Sequence, residues 1–193
     1  DGSTADIKVG ETLTVEQLLY CMLVISANET CNILGEAVSG SVDAFVEKMN
    51  QRAQELGCQN THFANTTGLT QSGHYSSAWD IYLITREAMK HDDFMTIVNT
   101  KAYTVPATNM TEKERELHST NALISNWRMT GYLYSGAQGI KTGTTDAAGH
   151  CLVSSAIRGS RTLISVVLGC EEVKTEKGGT RVESFTETAR LFD

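Results

Sequence analysis

The side chains in this sequence best suited to chemistry fall in two groups: Lys141-Thr142-Gly143, and the pair Ser26 and Asn28. An ammonium supplies fixed positive charge, a hydroxyl both donates and accepts a hydrogen bond, and a glycine lets a ligand approach the backbone closely. By average composition, K-T-G arises by chance in roughly a few per cent of chains this long, and S-x-N in about one in two. Their order and their places on the predicted elements make the combination far more specific than either alone. Each group also has a plain structural reading. Ser26 and Asn28 can end one helix and cap the next, and Lys141 can be a solvated strand lysine.

The elements that carry these residues can be read from capping and periodicity. Thr14-Val15-Glu16-Gln17 has the form of a capping box, with Leu13 and Leu18 placed as a hydrophobic staple. A nearly all-round apolar helix is predicted through Leu18, Leu19, Met22, Leu23 and Ile25, which places it centrally. Ser26-Ala27-Asn28 interrupts it before a second helical pattern, Cys31 to Val38. Ser41 caps an amphipathic helix through Leu56, and Gly57 is its natural stop. A polar, turn-rich stretch, Asn60 to Ser76, leads into a helix from about Ser77 to Lys90. The segment from Thr100 to Thr130 holds Pro106 and reads as short strands and loops. Gln138 to Thr145, Leu152 to Arg158 and Thr162 to Gly169 read as strands, with Gly159-Ser160 as a two-residue hairpin turn. Arg181 to Phe192 reads as a closing helix. Helices first and an antiparallel sheet afterwards predict an α+β domain with helices packed on the sheet.

Composition narrows the function classes. The chain has 193 residues and a formal net charge of −7, which argues against nucleic acid as a partner, since phosphate binding needs clustered Lys and Arg. The longest apolar run, Leu18 to Ile25, is far short of the roughly 20 residues a spanning helix needs. The opening Asp-Gly-Ser-Thr-Ala-Asp lacks the basic start and apolar core of a signal peptide. The cysteines Cys21, Cys31, Cys58, Cys151 and Cys170 form no C-x-x-C pair and no zinc spacing, and most of them read as small buried hydrophobes. No metal or cofactor is expected.

S-x-N and K-T-G in this order are two of the three signature motifs of penicillin-binding proteins and class A β-lactamases. The likeness widens to most of the chain through Val9-Gly10-Glu11-Thr12, Gly40-Ser41, Ala44-Phe45-Val46, Met49-Asn50 and Leu56-Gly57. Asn60-Thr61-His62-Phe63, Gly68-Leu69, Tyr75-Ser76-Ser77-Ala78 with Asp80, and Gly139 to Gly143 continue it. Asp146, Ala148, Gly149, Leu152-Val153 and Ser155-Ala156 complete it. In these residues the sequence resembles the low-molecular-mass D-alanyl-D-alanine carboxypeptidases, serine peptidases of the S11 type. The resemblance implies a β-lactamase/transpeptidase-like fold and release of the terminal D-alanine of peptidoglycan stem peptides through an acyl-serine intermediate. It also implies inhibition by β-lactams and a place at the extracytoplasmic face of a bacterial membrane, or secretion.

The resemblance assigns roles as well. Ser26 would relay a proton, Asn28 would hydrogen-bond the substrate's peptide carbonyl, and Lys141 would attract its terminal carboxylate. Thr142 would hydrogen-bond that carboxylate, Gly143 would admit the ligand, and the Thr144 N–H would serve the oxyanion hole, with substrate added along the strand. Asp80 reads as a structural charge at a helix start. His74 and His150 lie in loops near the expected cleft.

The third motif, S-x-x-K, supplies the nucleophile and its base, and no serine here has lysine three residues on. The expectation is therefore that residues 1–193 form part of a penicillin-binding domain, without its first strands and nucleophile helix, and are inactive alone. Two rivals stay open. A class A-like β-lactamase would use Glu47 in Glu47-Lys48-Met49-Asn50, and a non-catalytic wall-binding or partner module would need no nucleophile. The active-site reading further requires Ser26 and Lys141 within about 3–4 Å of each other. It also requires Lys141 on an edge strand, and apolar surface left open near Leu18 to Ile25, where the chain could self-associate.

Overall fold

Thr14 starts the first helix by capping it. Its hydroxyl accepts from the Gln17 amide at 3.1 Å, and Gln17 Oε1 accepts from the Thr14 amide at 2.8 Å. That pairs two donors that a helix start otherwise leaves orphaned. Helix α1 (Val15–Ile25) follows. The computed structural model describes residues 2–175 and 178–193; Asp1 of the opening stretch, Glu176 and Lys177 lie outside the described residues.

Helix α2 (Asn28–Ser39) begins three residues before the expected Cys31. Its first turn is polar, so apolar periodicity gives no sign of it. Ser41 caps α3 (Val42–Glu55) through the Ala44 amide at 3.1 Å, and Ser77 caps α4 (Ala78–Ala88) through the Asp80 amide at 3.2 Å. Helix α5 (Asp92–Val98) has no counterpart in the sequence reading. At two turns it is too short to display a period, and burial of Ile97 and Val98 holds it in place.

The poorly patterned segment contains an antiparallel pair, β1 (Ala102–Val105) with β2 (Arg115–His118). The principal sheet has the order β3 (Ala137–Thr145), β4 (Gly149–Arg158), β5 (Arg161–Cys170), all antiparallel. Arg158 pairs with Arg161, leaving Gly159-Ser160 as the expected turn, with Gly159 at φ +62°. Strand β4 starts at Gly149, so His150 is a strand residue and not a loop residue. A further hairpin, β6 (Glu172–Lys174) with β7 (Thr180–Val182), takes Arg181, and the closing helix α6 starts only at Glu183.

Two cores form. One gathers Tyr20, Cys21 and Val24 of α1 with Ile97, Val105 and Leu117. The other joins Leu152 and Ala156 of β4 to Ala122, Leu123, Val182, Phe185 and Phe192, beneath α6. Burying each large apolar side chain contributes roughly 1.5–3 kcal/mol to stability.

The first core is closed by Glu11, whose side chain is fully buried against Arg115 at 2.7 Å. Burial alone would raise the Glu11 carboxyl. Hydrogen bonds from the Thr108 hydroxyl and the Lys8 amide, with the Arg115 guanidinium, more than offset it and hold the pKa at about 2. A depressed carboxylate pKa stabilises the fold above the unfolded value and loses that stability as pH falls through the folded one. The chain is therefore expected to lose stability progressively between about pH 4.5 and pH 2. In Glu11→Gln, which starts less stable at pH 7, that acid limb is shallower. Chemical denaturation at a series of pH values measures both.

Candidate active site

The α1 helix ends at Ser26 in the left-handed region, φ 65° and ψ 32°. Glycine usually takes this position, and an L side chain there costs about 1–2 kcal/mol. The bend turns the chain at once into α2 and leaves the Ser26 side chain lining a cavity. Residue types alone did not disclose this bend. Asn28 opens α2, and its amide donates to the Ser3 carbonyl at 2.9 Å. Its side chain shares one wall with Gly2, where a Cβ would fall 2.2 Å from Asn28 Nδ2.

Lys141 lines the same cavity from β3. Its Nζ donates to Ser26 Oγ at 2.8 Å and to the Thr142 carbonyl at 2.8 Å. The expected approach of the two groups is therefore met, across 115 residues of sequence. Burial pushes the Lys141 ammonium down to about 8, with a small opposing effect from the Cys31 thiol. A lysine so placed is charged at neutral pH yet close enough to its pKa to exchange a proton.

Strand β3 pairs with β4 on one side and with no strand among the described residues on the other. A Cβ built on Gly143 meets nothing within 4 Å, so the edge is open where a ligand strand would lie. The Thr142 hydroxyl is 2.6 Å from that of Thr120, which the sequence reading did not single out. One of the two donates, and the other keeps its hydrogen for a third group. The Thr144 hydroxyl lies 3.3 Å from His150 Nδ1, and His150 Nε2 lies 3.7 Å from Glu172.

The opposite wall is the loop spanning 60–76, braced from two helices. The Asn50 side chain on α3 bonds both the amide and the carbonyl of Phe63, at 2.7 and 2.8 Å. The buried Asp80 carboxylate on α4 accepts from the Asn60 amide at 2.7 Å and the Thr61 hydroxyl at 2.8 Å. These bonds outweigh burial and lower the Asp80 pKa, and they make Asp80 a brace for the loop. The loop reaches back to β3 through Thr70 and Thr145, whose hydroxyls lie 2.9 Å apart. His74 Nδ1 accepts from the Ala64 amide at 3.1 Å, so its proton sits on Nε2, and burial lowers its pKa. Glu47 is exposed on α3, while Asn50 of the same E-x-x-N holds the loop.

Ser26, Asn28, Lys141, Thr142, Gly143 and Thr144 all line one cavity of about 700 Å³. His74 and His150 line it as well. Met22 and Leu23 of α1 line the same cavity. Among the described residues no cluster of His, Cys, Asp or Glu could hold a metal ion, and no helix is long and apolar enough to cross a membrane. All five cysteines are free; Cys21 is buried and the other four are half-buried.

The arrangement can bind an anion beside an open strand edge and pass a proton between Lys141 and Ser26. The family description of D-alanyl-D-alanine carboxypeptidases matches residues 1–172. The D-alanyl-D-alanine carboxypeptidase DacF of Bacillus subtilis is 38% identical over 90% of this chain and 42% of its own length. The corresponding enzyme of Streptomyces sp. strain K15 is 35% identical over 95% of this chain and 64% of its own. The chain thus spans about two fifths to two thirds of these relatives.

Among solved structures, a mutant of the Streptomyces K15 DD-transpeptidase superposes with a TM-score of 0.84 at 31% identity, covering 99% of this chain and 71% of that one. The D-alanyl-D-alanine carboxypeptidase of Mycobacterium tuberculosis gives 0.82 at 32%, covering 98% and 67%. The α+β, β-lactamase/transpeptidase-like fold expected from the sequence is the fold shared with these structures.

Proposed function

This chain belongs to the D-alanyl-D-alanine carboxypeptidase family, and from that premise we propose that it is the substrate-binding part of a serine carboxypeptidase acting on peptidoglycan stem peptides ending in D-Ala-D-Ala. The observation that carries this reading is the 2.8 Å contact between Lys141 and Ser26 beside the open edge of β3. Lys141 attracts the substrate's terminal carboxylate, and the Thr142 hydroxyl hydrogen-bonds it. The peptide lies along Gly143 and Thr144 as an added strand, with its carbonyl oxygen toward the Thr144 N–H. Asn28 takes the preceding carbonyl, and Ser26 returns a proton to the departing D-alanine. β-Lactams occupy the same groups as inhibitors, and the site works at the extracytoplasmic face of the membrane or outside it.

The nucleophile enters from an S-x-x-K segment that residues 1–193 do not contain. Because S-x-x-K is missing, a second reading applies to the 193 residues taken alone: a peptide-binding module without turnover. Release of free D-alanine from a stem peptide ending in D-Ala-D-Ala separates the two. A chain extended to include S-x-x-K is expected to release it and the 193 residues are not. Binding without release by both chains would leave only the module.

A further inference from the structure

The register between β3 and β4 decides which way Lys141 points. Gln138 pairs with Ser155, and the next pair is Lys141 with Val153, so β3 advances three residues while β4 advances two. One residue is therefore inserted at Gly139–Ile140, and in a sheet an insertion of one flips every later side chain to the opposite face. Continuing the register of Gln138 and Ser155 would put Lys141 opposite Leu152, on the face Leu152 shares with Ala156 in the core beneath α6. With the insertion Lys141 shares the face of Val153 and reaches Ser26 instead.

An inserted residue leaves backbone groups off the ladder, and buried ones must find partners elsewhere. Here two buried side chains converge on one carbonyl. Asn121 Nδ2 donates to the Gly139 oxygen at 2.6 Å and Ser154 Oγ donates to it at 2.5 Å; Asn121 is 2% exposed and Ser154 fully buried. The Ser155 hydroxyl donates to the neighbouring Gln138 carbonyl at 2.8 Å. Gly139 itself admits no side chain, since a Cβ would fall 2.9 Å from the Val98 carbonyl oxygen. On the far side of Lys141, Thr120 bonds the Thr142 hydroxyl, and its amide donates to the Val24 carbonyl near the end of α1 at 3.3 Å.

We propose that Asn121 and Ser154 are positioning residues for Lys141: by holding the Gly139 carbonyl they fix the one-residue bulge that turns Lys141 out of the α6 core and onto Ser26. Thr120 completes the clamp by tying β3 to the end of the helix that carries Ser26. The inference rests on the reading of Lys141 as a working group of the site. Its test measures where the ammonium sits and not turnover, so it can fail while that reading stands.

The experiment is a lysine ¹³Cε titration of the 193-residue chain, with the Lys141 signal assigned by its loss in Lys141→Met. The groups around the ammonium are the Ser26 hydroxyl, the Thr142 carbonyl and the Cys31 thiol. In Ser154→Ala and in Asn121→Ala, loss of the bulge is expected to turn the ammonium away from Ser26 and toward the apolar core beneath α6. Deeper burial without a hydrogen-bonding partner then lowers its midpoint by about one unit or more, a tenfold change in the ionisation constant. Ser154→Thr, which keeps the hydroxyl, stays near the parent midpoint of about 8. A merely structural role lowers Tm in all of these variants and leaves the midpoint alone. An unchanged or raised midpoint in folded Ser154→Ala and Asn121→Ala overturns the proposal. If thermal unfolding finds either of them unfolded, the Thr120→Val and Thr120→Ser pair gives the same comparison, with a fall expected only in the valine variant.

Discussion

Fluorescent penicillin followed by intact-mass analysis should leave the 193-residue chain unmodified and add one drug mass to a chain extended upstream through S-x-x-K. Acylation opens the lactam: the serine oxygen bonds the carbonyl carbon, the ring C–N bond breaks, and the nitrogen takes a proton. Nothing leaves, so the whole drug mass is retained. Ser26 is poorly placed to be that nucleophile. Its oxygen accepts a hydrogen bond from the Lys141 ammonium at 2.8 Å, which withdraws electron density where a nucleophile needs it. A general base must instead accept the serine's proton. An adduct on the short chain would therefore place the nucleophile among these residues and overturn the assignment of Ser26 as a relay. An extended chain that binds penicillin reversibly but never forms an ester would leave only the peptide-binding module.

Replacing Lys141 is expected to have the next largest effect, and the two properties it changes should move in opposite directions. In the extended chain, Lys141→Met should slow acylation by roughly 10²–10³-fold, the range found when one preorganised electrostatic partner is removed from a desolvated site. Stability should rise. A lysine whose folded pKa lies near 8, below its unfolded value, opposes folding while both states are charged, and the penalty fades as pH climbs from 8 to about 10.5. Lys141→Met should therefore have the higher Tm at pH 7, and the gap should close toward pH 10. The same titration gives binding of a carboxylate ligand a limb near pH 8, above which affinity falls by up to about tenfold per unit until pH passes the higher pKa that the bound carboxylate gives the ammonium. A variant that loses both acylation and Tm at pH 7 would show that Lys141 holds the fold together and is not held in the site at the fold's expense.

Much of this was legible in the residues themselves. The capping box at Thr14, the turn at Gly159-Ser160 and the strand bearing K-T-G are local signals, because a cap, a two-residue turn and an alternating strand are each satisfied by neighbours in the chain. Helix α5 and the β6–β7 hairpin escaped notice because elements of two turns or three residues have no period to read, and tertiary packing stabilises them. The start of α2 was read late because a polar first turn looks like a loop.

The site divides along the same line. Ser26, Asn28 and Lys141 could be named from their types and their order, since motif chemistry is written in side chains. The sequence by itself also determined that no S-x-x-K lies within these residues. Only the tertiary structure decided that Ser26 would bend into the left-handed region, that Thr120 would meet Thr142, and that Asn121 and Ser154 would converge on one carbonyl. Those hydrogen bonds join residues 15 to 22 apart in the chain, on different elements or loops. The face on which Lys141 emerges depends on a single inserted residue whose partners are buried on other elements. Alternation within a strand fixes only relative directions, and long-range hydrogen bonds select which of the two faces is which.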